Sequence, residues 1–129
     1  LPKPRTAREF IRQWPIVENR MFVTGDTTAY RAMTPGCVPC AKLADRIEGY
    51  YAAGGWVKAR PWRVVSIKLV RNGKRDQTYY VDTDIPPAVV RDSSEHSPIR
   101  LPSGRPLLAP RLKRDGAIWV MTDYVEISR

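Results

Sequence analysis

Two adjacent glycines, Gly54 and Gly55, divide this chain into halves with different hydrophobic periods, and that change limits the fold more than any other feature. Ahead of them apolar residues recur at three- and four-residue steps, the spacing of one helix face. Behind them apolar and polar residues alternate, the spacing of a strand with one buried side. A chain that is helical first and extended afterwards buries both apolar faces by laying its helices on an antiparallel sheet, which is the α+β class.

In the first half, Phe10, Trp14, Val17 and Met21 mark a helix from Thr6 to about Gly25, and Thr6 with Glu9 forms a capping box at its start. Pro15 falls inside the stripe, where its missing N–H predicts a kink or a restart. After Gly25, Asp26 or Thr27 caps a short helix that carries Tyr30 and Met33 and ends before Pro35-Gly36. A third helix runs from Val38 or Pro39 to Ala53, with Leu43, Ile47, Tyr50 and Tyr51 on its apolar side. Gly54-Gly55 ends it.

In the second half, Trp56 to Val70 alternates as one long strand, and Asn72-Gly73 predicts a hairpin from which Arg75 to about Ile85 returns antiparallel around Tyr79, Tyr80 and Val81. The stretch Pro86 to Pro110 is rich in proline and serine and reads as loop, with a brief structured turn at Val89-Val90. Leu107 to Lys113 reads as a third strand, and Arg114-Asp115-Gly116 turns into a last strand over Ala117 to Ile127. The expected order is three helices, then a meander of about four antiparallel strands.

The chain has 129 residues, of which 43% are apolar, enough for one core without staples. Residues 6–129 therefore read as one domain, and residues 1–5, Leu-Pro-Lys-Pro-Arg, as a basic tether of the kind that joins an export signal to a domain. No run approaches the roughly 20 apolar residues that a membrane helix requires. The formal charge is +9, which favours anionic neighbours. The basic residues are scattered rather than clustered, and no aromatic-basic recognition motif accompanies them, so nucleic acid is disfavoured as a partner.

The only cysteines form the pair Cys37-Val38-Pro39-Cys40 at the start of the third helix. That spacing suits a disulfide, half of a metal site, or a redox dithiol whose first thiol is acidified by the helix N-terminus. No second Cys or His pair completes a tetrahedral set, so no metal is expected. A thioredoxin-type motif follows a buried strand within a βαβ unit, and residues 26–36 do not read as a strand. The clasp reading, a disulfide formed in an oxidising compartment, is therefore preferred. The alternative is a thiol-disulfide oxidoreductase with Cys37 as nucleophile and Cys40 as resolving thiol.

His96, in Ser93-Ser94-Glu95-His96-Ser97-Pro98, reads as a solvated loop residue, since no partner orients it. Asp82 and Asp84 share a strand face and read as salt-bridge partners for arginines. Trp56, Trp62, Tyr79, Tyr80 and Trp119 supply the core and can line a concave pocket, with Arg60, Arg63, Arg71 and Arg75 as a basic face beside it.

Helices entering a curved sheet through Gly-Gly resemble the cone of the nuclear-transport-factor-like superfamily, also described as cystatin-like, the fold shared by ketosteroid isomerase. The segments Phe22 to Tyr30 (with Thr24-Gly25-Asp26), Cys37-Val38-Pro39-Cys40 and Ile47 to Gly55 (with Tyr51-Ala52-Ala53-Gly54-Gly55) resemble, in that order, an uncharacterised family of actinobacterial lipoproteins. The likeness is carried by the first half of the chain. It implies an exported or cell-envelope domain, lipid-anchored or secreted, and a homodimer through the open sheet face. It carries over no catalytic residue and no cofactor.

The sequence thus points to a binding domain rather than an enzyme. Its expected site is a concave aromatic and basic face formed by Tyr51, Trp62, Tyr80, Trp119, Arg60 and Arg63, which takes a small or anionic ligand or an envelope protein.

Overall fold

The computed structural model describes residues 1–129. The first helix, α1, spans Ala7–Thr24 as one unbroken element. Thr6 caps it by accepting a hydrogen bond from the Glu9 amide at 3.1 Å. Pro15 does not interrupt it. The buried stripe Phe10, Ile11, Trp14 and Met21 stays in helical phase on both sides of the proline, and each large side chain it buries contributes about 1.5–3 kcal/mol, so packing outweighs one missing hydrogen bond.

Gly25 ends α1 in the left-handed conformation with φ 75°, and a Cβ there would lie 2.7 Å from the Tyr51 ring. Helix α2, Thr28–Met33, follows a turn in which Asp26 accepts from the Thr28 amide at 3.0 Å. Of the two expected capping residues, Asp26 therefore makes the bond. Helix α3 covers Val38–Ala52, with Pro39 in its first turn.

The sheet expected of the second half is present as four antiparallel strands: β2 (Arg63–Asn72), β3 (Asp76–Asp84), β6 (Leu107–Asp115) and β7 (Ile118–Ile127), in the order β2-β3-β6-β7. Three short strands form a second sheet, β1 (Trp56–Lys58), β4 (Ala88–Arg91) and β5 (Ile99–Leu101), in the order β1-β4-β5. The long strand expected over Trp56 to Val70 is thus two strands in different sheets, separated at Ala59–Trp62. Its break is Pro61, which has no N–H for a continuing ladder. The Pro86–Pro110 stretch holds β4, β5 and the start of β6 where mostly loop was expected, because Val89 and Val90 pair with Lys58 and Val57 of β1.

Each passage between the two sheets contains proline: Pro61 between β1 and β2, Pro86-Pro87 between β3 and β4, and Pro102 and Pro106 between β5 and β6. An isolated bridge pairs Ile85, in the β3–β4 passage, with Gly104, in the β5–β6 passage, so these two passages run side by side. Gly55 lets β1 approach β4, since a Cβ at that position would run into the Arg91 carbonyl.

Two hairpins differ in detail. At the Asn72-Gly73 signal, Asn72 still pairs with Gln77, and the turn lies one step further on, closed by the Gly73 amide on the Asp76 carbonyl at 2.9 Å. Gly116, with φ 62°, makes the tight β6–β7 turn at the expected place.

Helices and curved sheet enclose one core, in which Phe10, Ile11, Trp14, Met21, Tyr30, Val81, Leu112 and Met121 are buried. The architecture is α+β, with α1 packed against β1, β2 and β7 and α3 against β7. Residues ahead of α1 also touch the domain: the Trp119 amide donates to the Pro4 carbonyl at 3.1 Å, and the Gln13 side chain donates to the Pro2 carbonyl at 2.7 Å.

Candidate functional site

Helices α1 and α3, the small sheet and the passages that lead from it to the large sheet enclose a cavity of about 390 Å³. Helix α1 lines it with Glu18, Asn19 and Phe22, and α3 with Leu43, Arg46, Ile47 and Tyr50, each set following its helix's own period. The small sheet supplies Val57, Ala88, Val90 and Leu101, and the β1–β2 passage supplies Ala59, Arg60 and Trp62. The walls are mainly apolar, and the volume lies within the usual range for small-molecule pockets, about 300–1,000 Å³.

The polar groups of the cavity are few and specific. Glu18 is 9% exposed. Its two carboxyl oxygens accept one indole N–H each, from Trp14 at 3.1 Å and from Trp62 at 3.2 Å. The two indoles meet edge to face, with ring centres 5.1 Å apart, and Trp14 packs in the same manner on Tyr124. Burial disfavours the charged form and lifts the Glu18 carboxyl to about 7, against the opposing pull of the indole donors. Its field reaches two phenols. Burial first, and the Glu18 charge second, push Tyr124 up to about 12 and Tyr30 higher still. The Tyr30 hydroxyl is buried without a hydrogen-bond partner.

Beside Glu18, the Asn19 amide donates to the Ala59 carbonyl at 3.2 Å, while its own oxygen is buried with no partner. A desolvated acceptor of this kind costs about 1–3 kcal/mol when unmatched.

Of the six side chains expected at the site, Trp62 and Arg60 lie on the cavity. Tyr51 is a brace: its hydroxyl donates to the Phe22 carbonyl at 2.5 Å and accepts from the Val57 amide at 3.3 Å, tying the end of α1 to β1. Tyr80 alternates with the buried Tyr79 and Val81, so it stands on the outer face of the large sheet. Trp119 packs half-buried at the β6–β7 hairpin, against the core and away from the cavity lining. Arg63 is exposed and pairs with Asp84 at 2.7 Å. Of the expected aromatic and basic set, the cavity wall thus includes Trp62 and Arg60, and its other residues come from α1, α3 and the small sheet.

Asp82 pairs with Arg129, and Asp84 with Arg63, as solvated ion pairs. His96 is an exposed loop residue whose Nδ1 lies 2.8 Å from Asp92. No group of three or more His, Cys, Asp or Glu side chains comes together as a metal site. Cys37 and Cys40 form a disulfide with a Cα–Cα distance of 5.2 Å, and both residues are buried, at 2% and 0% exposure.

The residue that sequence reasoning missed is Glu18. It lies four positions after Trp14 and three before Met21, on the apolar stripe itself. A carboxylate in phase with a buried stripe was the available signal.

No known protein family profile matches the chain, and no curated protein matches it. Among solved structures it is similar to the intermembrane-space region of the chloroplast protein ARC6. The match covers 100% of this chain and 99% of that one, with a TM-score of 0.65 and 13% identity. The two share a fold. At that identity the likeness concerns architecture alone. No helix of this chain is long and apolar enough to cross a membrane.

Proposed function

We propose that this chain is a non-enzymatic binding domain of the cell exterior or envelope, and that it holds a small ligand in the cavity between its helices and its small sheet. The observation that carries this reading is the composition of the cavity: apolar walls around about 390 Å³, with Glu18, Asn19, Arg46 and Arg60 as its few polar lining residues. A few placed polar atoms on an apolar wall are what orient a ligand. Export is supported by the disulfide, which persists in oxidising compartments, and by the resemblance to actinobacterial lipoproteins in the segments around Thr24-Gly25-Asp26, Cys37–Cys40 and Tyr51–Gly55.

The oxidoreductase alternative needs a sulfur that a thiolate can reach. Both cysteines lie inside the core, and their burial favours a clasp that holds the start of α3, the helix that roofs the cavity.

The test is calorimetric titration with a neutral apolar probe, n-decanol, on the intact chain and on Ala88→Trp, which fills the cavity from β4. Binding to the intact chain and loss in the filled variant is the expected result. Equal binding to both, or binding to neither, overturns the reading.

A further inference from the structure

We infer that the end of the large sheet where the β2–β3 and β6–β7 hairpins turn, together with the segment ahead of α1, is a docking surface for an anionic lipid bilayer. This goes beyond the cavity reading, because the surface shares no residue with the cavity.

Strand direction assembles this end. In the order β2-β3-β6-β7 every neighbouring pair is antiparallel, so both hairpins turn on the same side of the sheet. Register then makes the two tips adjacent. Asp76 at the start of β3 pairs with Lys113 near the end of β6, and Arg71, Thr78 and Arg111 form one row across three strands. The segment ahead of α1 is fastened beside them, since the Pro4 carbonyl accepts from the amide of Trp119, which pairs with Arg114 of the β6–β7 tip.

The charge gathered there is one-sided. Residues 71–76, 111–116 and 1–9 hold nine basic side chains, all of them exposed. The carboxylates among them are Glu9, Asp76 and Asp115, and Asp123 pairs across the ladder with Arg111. Nine cations against four anions leave an excess of five at this end, in a chain whose formal charge is +9. The ion pairs of the large sheet, Arg63 with Asp84 and Arg129 with Asp82, stand at its opposite end.

Two features favour lipid over the other polyanions. Leu1, Leu69 and Val70 are exposed in the same strand ends and segment, and apolar side chains beside cations suit the boundary between headgroups and acyl chains. Neither hairpin tip carries an aromatic ring on which a base could stack. Docking also has a geometric consequence. Trp62 and Ile85 adjoin the far ends of β2 and β3 and line the cavity. A domain resting on its hairpin tips therefore holds the cavity about 30 Å from the lipid, the length of a ten-residue strand.

The test is co-sedimentation of the intact chain with vesicles of phosphatidylcholine alone and with vesicles that contain about 30% phosphatidylglycerol, at about 0.1 M NaCl. Binding to the anionic vesicles is expected to be at least about a hundredfold tighter, since each cation near a charged bilayer adds about fivefold. It should vanish at about 1 M NaCl, where charges are screened beyond about 3 Å. Two variants of equal net charge locate the surface. Lys74→Gln, Arg75→Gln and Lys113→Gln together should weaken binding about a hundredfold. Arg20→Gln, Arg100→Gln and Arg105→Gln together, which are exposed cations outside this end, should change it less than about threefold.

Equal binding to the two kinds of vesicle, or binding to neither, overturns the inference. So does an equal loss in the two triple variants, which would make the attraction a property of net charge and not of this end. Tighter binding to a duplex of about 20 base pairs than to anionic vesicles, at the same concentration of phosphate, would assign the end to nucleic acid and overturn it as well. None of these results touches decanol binding, which tests the cavity alone.

Discussion

Replacing Glu18 by glutamine should make the stability curves of the two proteins cross as pH rises. Burial pushes the wild-type carboxyl up to about 7 in the fold, against an ordinary value near 4.5. A raised carboxyl means that the folded state holds the proton more tightly, so its contribution to stability is fully present below 4.5 and is lost as pH rises through about 7. At about 1.4 kcal/mol per unit, the whole effect is about 3 kcal/mol, and most of it falls between pH 5 and pH 8.

Glutamine cannot ionise and lacks this loss. It presents one acceptor where two indoles donate, which costs about 1–2 kcal/mol at pH 5. The wild type should therefore be the more stable protein at pH 5 and the less stable at pH 8. With a urea m-value of about 2 kcal/mol/M, the wild-type midpoint should fall by about 1 M over that window, while the variant stays level apart from changes both share. Asp26 and Glu48 stay out of this range. The Thr28 amide holds Asp26 below its ordinary value, and the Thr27 hydroxyl, then Arg31, holds Glu48 below its own, so both act on the acid side. Parallel curves from pH 5 to pH 8, or a wild type that gains stability over that interval, would refute the burial argument.

Other substitutions probe the frame around the cavity. Gly25→Ala forces a side chain into a left-handed turn and against the Tyr51 ring, and urea denaturation should show a loss of at least about 2 kcal/mol. Tyr51→Phe leaves the Phe22 carbonyl without its donor and should cost about 1–2 kcal/mol in the same assay, with no change in the pH profile of Glu18. Replacing Cys37 and Cys40 together by alanine should cost less than about 2 kcal/mol, because the bridge closes a very short loop. The intact bridge should resist dithiothreitol until urea unfolds the chain, read by alkylation and mass spectrometry, since both sulfurs are buried.

Much of the frame was legible because it rests on local rules. The stripe of α1, its threonine cap, the Gly25 stop, the span of α3 and the Gly116 turn each follow from a few neighbouring residues. What escaped depends on contacts between distant segments. Whether Pro15 breaks α1 is decided by the burial of Trp14 and Met21 on either side of it, and single-helix reasoning cannot weigh that. The second sheet forms because Val57 finds Val90 more than thirty positions away, a pairing that no local pattern announces. Tyr51, Tyr80 and Trp119 were assigned to the site by residue type, yet strand phase turns Tyr80 outward and a hydrogen bond to Phe22 makes Tyr51 a brace. Glu18 was the reverse case, visible in phase and overlooked as a charge.

The prolines between the two sheets also determine which parts of the cavity are free to change. The sheets stay apart because Pro61, Pro86, Pro87, Pro102 and Pro106 remove hydrogen-bond donors at the places where one ladder would otherwise run into the other. The passages that frame the cavity are thus set by the main chain, and the side chains facing it decide how much of it is left free. Exchanging Val90, Leu101 or Ile85 for larger or smaller residues resizes the cavity without moving these passages, so a lineage carrying this backbone can alter what it accepts while its architecture stands still.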